Sequence, residues 1–428
     1  MRVLAALLVL ALTHAAAAQI GVPAVRLPPV GVPNLPAATA PLDATLSRTD
    51  DVQALRELRR LHVRELLRHR DVIEADPHGA PIVRGEILAL AARDAPMPAA
   101  AAGLAVLREV PLAGLGLRLL VLHASGDTAR ALQRVQSADP AGAYDFNHVF
   151  TGSGLLAAPA APGAVAAAAD VAASVALGLI DGGVDARHEV FAGVTLHQHG
   201  CAGRQVPDAH GTAVASLLVG RAAALHGAAP GATLYAADVF CGLPAGGAVD
   251  AVADALDWLA RERVPVINVS LVGPPNRLLG EVLAALLARG HLVVAAVGND
   301  GPAAAPLYPA AFPGVVGVTA VDGRGRILPE AERGAQVKFA APGADMAAAS
   351  AGHGYVRVRG TSFAAPLVAG LLAVHLSAPD KSAAEAAVAS LAQAAQRLGQ
   401  PVPNPISGYG LVGAELRRQP ALAGLRAD

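Results

Sequence analysis

From about Val175 onward, short stretches that are apolar almost throughout alternate with helical stretches, and this alternation constrains the fold more than any other feature of the chain. "VALGLI", "ATLYAADVF", "VPVINVSL", "HLVVAAV" and "VVGVTAV" have no sustained polar face, so strands made from them must be covered on both sides. Helical patterns lie between and after them, over 212–225, 249–263, 278–289, 362–376 and 383–397. Strands of this kind separated by helices predict an α/β fold, a doubly wound and mostly parallel sheet with helices on both faces. Chemistry in such a sheet gathers outside the carboxyl ends of the strands.

Polar groups stand at those ends. "VALGLI" runs into Asp181, "VPVINV" into Ser270, and "HLVVAAV" into Gly298 and Asn299. Two more open apolar helices: His210 before "GTAVASLLVG" and Ser362 before "FAAPLVAGLL". A helix start offers free N–H groups and the positive end of a dipole, which favour developing negative charge. In chain order the set is Asp, His, Asn and Ser. A serine hydroxyl needs an adjacent base to attack. Histidine can take its proton and return it to a leaving amine. A carboxylate can fix the imidazole's tautomer, and an amide with a backbone N–H can bind an oxyanion. Singly, each has a plainer reading: Ser362 as a helix cap, His210 as a helix-start histidine, Asp181 and Asn299 as turn residues, with Asp185 competing for the acid's place.

Together, "GLIDGGVD", "DAHGTAVAS", "AAVGNDG" and "RGTSFAAPLVAG" resemble the four signature blocks of the subtilisin-like serine proteases, the subtilases. The resemblance runs from about Val175 to Val412, over half the chain, and the Ser and His blocks are the most specific. It implies Asp181 as the orienting acid, His210 as the general base and Ser362 as the nucleophile. Asn299 would be the oxyanion donor, together with the Ser362 N–H. It further implies that Ser270, Leu271, Val272 and Gly273 form an edge that pairs with an extended peptide, and that Ala296 to Gly298 form the facing wall of the P1 pocket. The reaction is then hydrolysis of a peptide or protein substrate through an acyl-enzyme, with no cofactor required. Structural calcium is frequent in the family, but no carboxylate-rich loop here indicates it and no metal ligand set is assigned. This chain departs from the family at Gly182, where Ser or Thr is frequent, in "SLVGPP", and at Phe363, which replaces the usual methionine after the serine. A ring there is expected to narrow the neighbourhood of the nucleophile.

The segments upstream fit a precursor. Arg2, the apolar run Val3 to Leu12 and Ala16-x-Ala18 read as a secretory signal peptide over 1–18, too short to span a bilayer. A Pro-rich linker covers 19–46. Residues 47–154 read as a basic helix over 47–75 followed by a small α+β module, with "IVRGEILAL" and "LRLLVLHA" as strands and "AAAAGLAVLREV" and "DTARALQRVQSAD" as helices. The arginines of the first helix are expected on a solvated face. By the family resemblance, this module is a propeptide that inhibits its own enzyme until cleaved, with "DFNHVFTGSG" in or near the groove and the mature chain starting between Thr151 and Val171. A second joint covers 155–174, and the peptidase domain 175–428.

The formal net charge of the 428-residue chain is -1, which points away from nucleic acid. The expected protein is an exported monomer, periplasmic or extracellular, without a stable membrane anchor. Export makes a disulfide between Cys201 and Cys241, the two cysteines, plausible on chemical grounds. His197, His199 and Cys201 lack a fourth ligand, so "HQHGC" reads as a solvated loop. Two alternatives differ in kind: a subtilase-like scaffold that cuts only itself or nothing and then binds, and an esterase on another α/β fold. The second wants Gly-x-Ser-x-Gly around its serine, which Ser362 lacks.

Overall fold

The computed structural model describes residues 48–98, 103–156, 175–222, 225–423 and 425, all within one compact unit spanning Pro41–Asp428. The signal peptide, the Pro-rich linker and the joint from 157 to 174 lie outside the described residues.

The chain begins with α1 (Arg48–Leu66), β1 (Ile73–Ala75), β2 (Pro81–Ala92), β3 (Ala105–Leu112), β4 (Leu117–His123), α2 (Thr128–Ala138) and β5 (Ala143–His148). The five strands form one antiparallel sheet. Two expectations fail here. The first helix stops at Leu66, because Ile73 is buried completely by pairing β1 with β2. "AAAAGLAVLREV" ends in a strand instead of a helix: Val106 and Val110 are β-branched, and β3 closes a hairpin onto β4. α2 does form, with the Asp127 carboxylate accepting the Arg130 N–H.

This sheet is buried on both faces. Ile87, Ala89, Leu120 and Leu122 pack under α2, while Leu88, Leu90, Leu119 and Val121 face the remainder of the molecule. What they meet is described by the next elements: β6 (Thr151–Gly152), β7 (Leu155–Leu156), β8 (Ala176–Asp181), β9 (Leu196–Gly200), α3 (Ala209–Val219), β10 (Arg221–Ala222), β11 (Leu225–His226), β12 (Thr233–Asp238), α4 (Val249–Arg261), β13 (Val266–Val269), β14 (Leu271–Val272), α5 (Arg277–Ala288), β15 (Leu292–Ala296), β16 (Val316–Val321), β17 (Val337–Pro342), β18 (Met346–Ala349), β19 (Tyr355–Arg359), α6 (Thr361–Ala373) and α7 (Lys381–Ala394).

Seven strands form a parallel sheet in the order β17-β16-β15-β13-β8-β12-β9. Alternate residues feed two cores. Leu177, Leu179 and Val294 join α3 and α6 on one face; Ile180, Ile267 and Val293 join α4 and α5 on the other. The inner face of the N-terminal sheet shares that second core. Polar contacts fix the docking: Asn147 Nδ2 donates to Asp250 Oδ1 (2.9 Å) at the start of α4, and the Arg277 N–H at the start of α5 donates to Asp145 Oδ2 (2.7 Å). No described helix is long and apolar enough to cross a membrane.

"HQHG" is not a solvated loop but edge strand β9. Cross-strand pairing with β12 brings His197 onto the Tyr235 ring (4.6 Å between centroids), and His199 stacks on Trp258 (4.8 Å) and bonds to Asp254 (2.8 Å). Strands β12 and β9 end side by side, and the cysteines beyond them, Cys201 and Cys241, are disulfide-bonded with Cα atoms 5.2 Å apart. Among the described residues the one group with metal-ligating spacing is these two cysteines with Asp238, and the bridge consumes both thiols.

Candidate active site

β8 delivers Asp181 to the carboxyl edge of the sheet, fully buried. The Asp208 carboxylate caps α3 by accepting the His210 and Gly211 N–H groups, so this helix begins three residues earlier than its apolar pattern suggests. The cap aims the His210 ring at Asp181: Nδ1 lies 2.9 Å from Oδ1 and 3.0 Å from Oδ2. Nδ1 therefore carries the proton, and Nε2, buried and without a hydrogen-bond partner, has a free lone pair. Burial pushes the Asp181 carboxyl up, opposed by the His210 charge and hydrogen bond. For His210, burial disfavours the cation, but the charge and hydrogen bond of Asp181 and the charge of Asp208 outweigh it and hold the imidazole above its ordinary value.

β15 leads into Gly298 and Asn299. Asn299 Oδ1 accepts the Thr361 N–H (3.1 Å), and Thr361 Oγ1 accepts the Gly298 N–H (3.2 Å). With Oδ1 committed to that N–H, Nδ2 is left to donate elsewhere, and it donates to the carbonyl oxygen of Ser153 (2.8 Å). Ser362, in the first turn of α6, donates Oγ–H to the same oxygen (2.6 Å), and the Ser153 hydroxyl lies 2.7 Å from Ser362 Oγ. The structure thus brings Asp181, His210, Asn299 and Ser362 together around one peptide carbonyl of the chain itself, although Ser362 Oγ bonds to that carbonyl oxygen and not to His210 Nε2.

The segment carrying that carbonyl lies extended in a groove. Phe150 donates its N–H to Gly247 O (2.8 Å), β6 pairs antiparallel with β14, and β7 pairs antiparallel with β19. Gly247 has φ +79°, and a Cβ there would stand 2.3 Å from Phe150 O, so this wall admits only glycine. The Phe150 ring packs over Gly273 and lines a small apolar recess with Val252, Val269, Leu271, Leu279 and Leu283.

The expected groove residues divide. Leu271 and Val272 pair with Gly152 and Thr151. Gly273 instead exchanges backbone hydrogen bonds with Tyr308, because the ring of Phe150 occupies its open side. Ser270 sits behind Ser362, its Oγ donating to Ser362 O (3.0 Å). Ala296 lies in the core shared with α6. Gly298, at φ +109°, is backed by Leu307 and Glu332. Burial, then the charge of Asp300, pushes the Glu332 carboxyl up to about 8, so it is mostly protonated at neutral pH. Sequence reasoning missed Thr361 as the group that orients Asn299, and the second groove wall at Gly247 and Ala248; the Gly-Gly pair just before α4 was the available signal. It also placed all of α1's arginines in solvent. Arg60 and Arg64 in α1 are exposed, as is Arg68 beyond its end, but Arg59 pairs with Asp300 (2.5 Å), the neighbour of Asn299.

A family model described as "Peptidase_S8: Subtilase family" matches residues 172–410. The chain belongs to the subtilase family. This subtilase is 35% identical over 168 residues to Subtilisin BL of Lederbergia lenta, covering 39% of this chain and 62% of that one. It is 30% identical over 256 residues to Subtilisin DY of Bacillus licheniformis, covering 58% and 92%. The chain thus spans less than two thirds of Subtilisin BL, and 44% of the M-protease of Shouchella clausii. Among solved structures, the protease domain of PatA, in a mutant form, superposes with TM-score 0.52 at 25% identity over 57% of this chain and 94% of that one. Fervidolysin from Fervidobacterium pennivorans superposes with TM-score 0.62 at 20% identity over 78% of this chain and 61% of that one, a likeness of fold alone.

Proposed function

We propose that this subtilase is an exported serine endopeptidase, made as a precursor that cuts itself between Ser153 and Gly154. The observation that carries the reading is the Ser153 carbonyl oxygen, held by Asn299 Nδ2 at 2.8 Å and met by Ser362 Oγ at 2.6 Å. A bound product or a chance contact does not need an intact peptide with its carbonyl on the amide and its next residue beside the base.

The steps use this chain's own side chains. Ser362 Oγ turns from the carbonyl oxygen toward His210 Nε2, gives up its proton there and bonds to the Ser153 carbonyl carbon. Asn299 Nδ2 and the Ser362 N–H in the first turn of α6 stabilise the oxyanion, acting where charge develops. Asp181 holds the Nδ1 proton and the imidazolium. The Ser153–Gly154 C–N bond breaks as Nε2 hands the proton to the Gly154 nitrogen; a Cβ on Gly154 would be 3.4 Å from Nε2, so the ring is already near the leaving group. Water then hydrolyses the Ser153 ester by the same route in reverse. After cleavage, residues 149–153 remain as a strand between β14 and Gly247, and the N-terminal sheet stays packed on α4 and α5, so the released module inhibits as a product. Other peptide or protein substrates would lie in the same groove once it leaves.

The scaffold alternative is favoured by that same extensive docking, since an enzyme that never sheds its module would cut only once. Both readings are tested by incubating the processed protein and Ser362→Ala with casein and a serine-directed phosphonate. The protease reading expects casein hydrolysis and a single label, both lost in Ser362→Ala. Labelling without casein hydrolysis supports a scaffold that cuts only itself, and identical behaviour of the two forms rejects the protease reading and leaves the scaffold that cuts nothing.

A further inference from the structure

Resting on the protease reading, we propose that Phe363 makes this subtilase selective for glycine immediately after the bond it cuts. Two glycines flank Ser153, and the site treats them differently. A Cβ built on Gly152 would make ordinary contacts with the His210 ring, at 3.7–3.8 Å. A Cβ on Gly154 would come within 2.5 Å of Phe363 Cε2 and 2.9 Å of Cζ, distances that real side chains do not adopt.

Neither partner can step aside. The Phe363 ring is fully buried in the core shared with α6 and lies 5.3 Å, centroid to centroid, from the His210 ring. Its backbone follows Ser362 directly, so a displaced ring pushes either on the base or on the turn that holds the nucleophile. The peptide is equally pinned. The Ser153 carbonyl is tied to Asn299, β7 is tied to β19, and on the other side Gly360 already approaches so closely that a Cβ there would be 3.1 Å from Gly154 Cα. The gap between Phe363 and Gly360 admits a main chain and no side chain. Overpacking a rigid site of this kind costs about 1–3 kcal/mol, which corresponds to a rate about five- to 150-fold lower.

The test follows self-cleavage of the full precursor by mass over time in Gly152→Ala and Gly154→Ala, each in the wild-type background and with Phe363→Ala, with Phe363→Met as the milder enlargement where the alanine variant fails to fold. The expected result is that Gly154→Ala slows processing at this bond by about tenfold to a hundredfold, that Gly152→Ala slows it less than threefold, and that opening position 363 shrinks the Gly-to-Ala ratio at 154. The ratio is read within each background, so a general loss of activity in a Phe363 variant cancels. Equal rates for Gly154→Ala and wild type, or a Gly-to-Ala ratio that does not change when the ring is removed, overturn the proposal. A wild-type precursor that stays whole and is not labelled by a phosphonate overturns the protease reading, and the preference with it.

Discussion

At the scale of single residues, the account turns on a carboxylate and an imidazole whose charges depend on each other. In the proposed reaction His210 must be neutral to accept the Ser362 proton. Asp181 stabilises the imidazolium, so the folded protein holds that proton to a higher pH than a free imidazole does, and the base form appears only as pH rises past the ordinary value of 6.5. The expected kcat/KM profile therefore climbs with pH on a limb whose midpoint lies above 6.5. Asp181→Asn should move that midpoint down and lower kcat by about 10^4-fold, since the ring then loses both its tautomer and its counter-charge. A midpoint at or below the free-imidazole value in the wild type, measured on a peptide substrate, contradicts the pairing. The same four residues were legible in the sequence because each ends an apolar strand or opens an apolar helix, positions that the parallel sheet converts into neighbours. The partner that Ser362 Oγ meets was not legible. That Ser362 Oγ meets the Ser153 carbonyl depends on where a segment 209 residues away is laid down.

At the scale of elements, every expected strand of the parallel sheet is present, and the errors are informative. β18 reads "MAAA", and alanine carries no strand preference, so this strand exists only because β19 pairs with it. "HQHG" forms a strand because it pairs with β12, and His197 and His199 stack on Tyr235 and Trp258. Both show strand pairing overriding composition. The edge strand β9 is exposed to fraying, and the bridge from Cys201 to Cys241 staples its end to that of β12 across a separation of 40 residues. Closing a loop of this size stabilises by about 2–4 kcal/mol. Replacing both cysteines with serine should lower the thermal midpoint by several degrees while leaving the pH profile in place, and peptide mapping without reductant should recover the linked pair. Unlinked cysteines in exported protein, or a midpoint indifferent to reductant, would contradict the staple.

At the scale of the whole molecule, the N-terminal sheet is the piece that gives the site its occupant. One of its faces is covered by α2 and the other by α4 and α5, so the module hides its second apolar face only by docking. Docking in turn sets the direction of β5, which runs through Val149 and Phe150 into the groove and brings Ser153 to Asn299. The sequence predicts an α+β module here with its end near the groove, but not which bond of "TGSG" lies over Ser362, because that depends on the register of β6 against Leu271 and Val272. The measurement that tests this most directly is the intact mass and N-terminal sequence of the large fragment formed when the purified precursor is incubated, beside Ser362→Ala. The account predicts a fragment that begins at Gly154 in the wild type and an uncut chain in the variant. A wild-type precursor that remains whole, or the same fragment arising in Ser362→Ala, contradicts it.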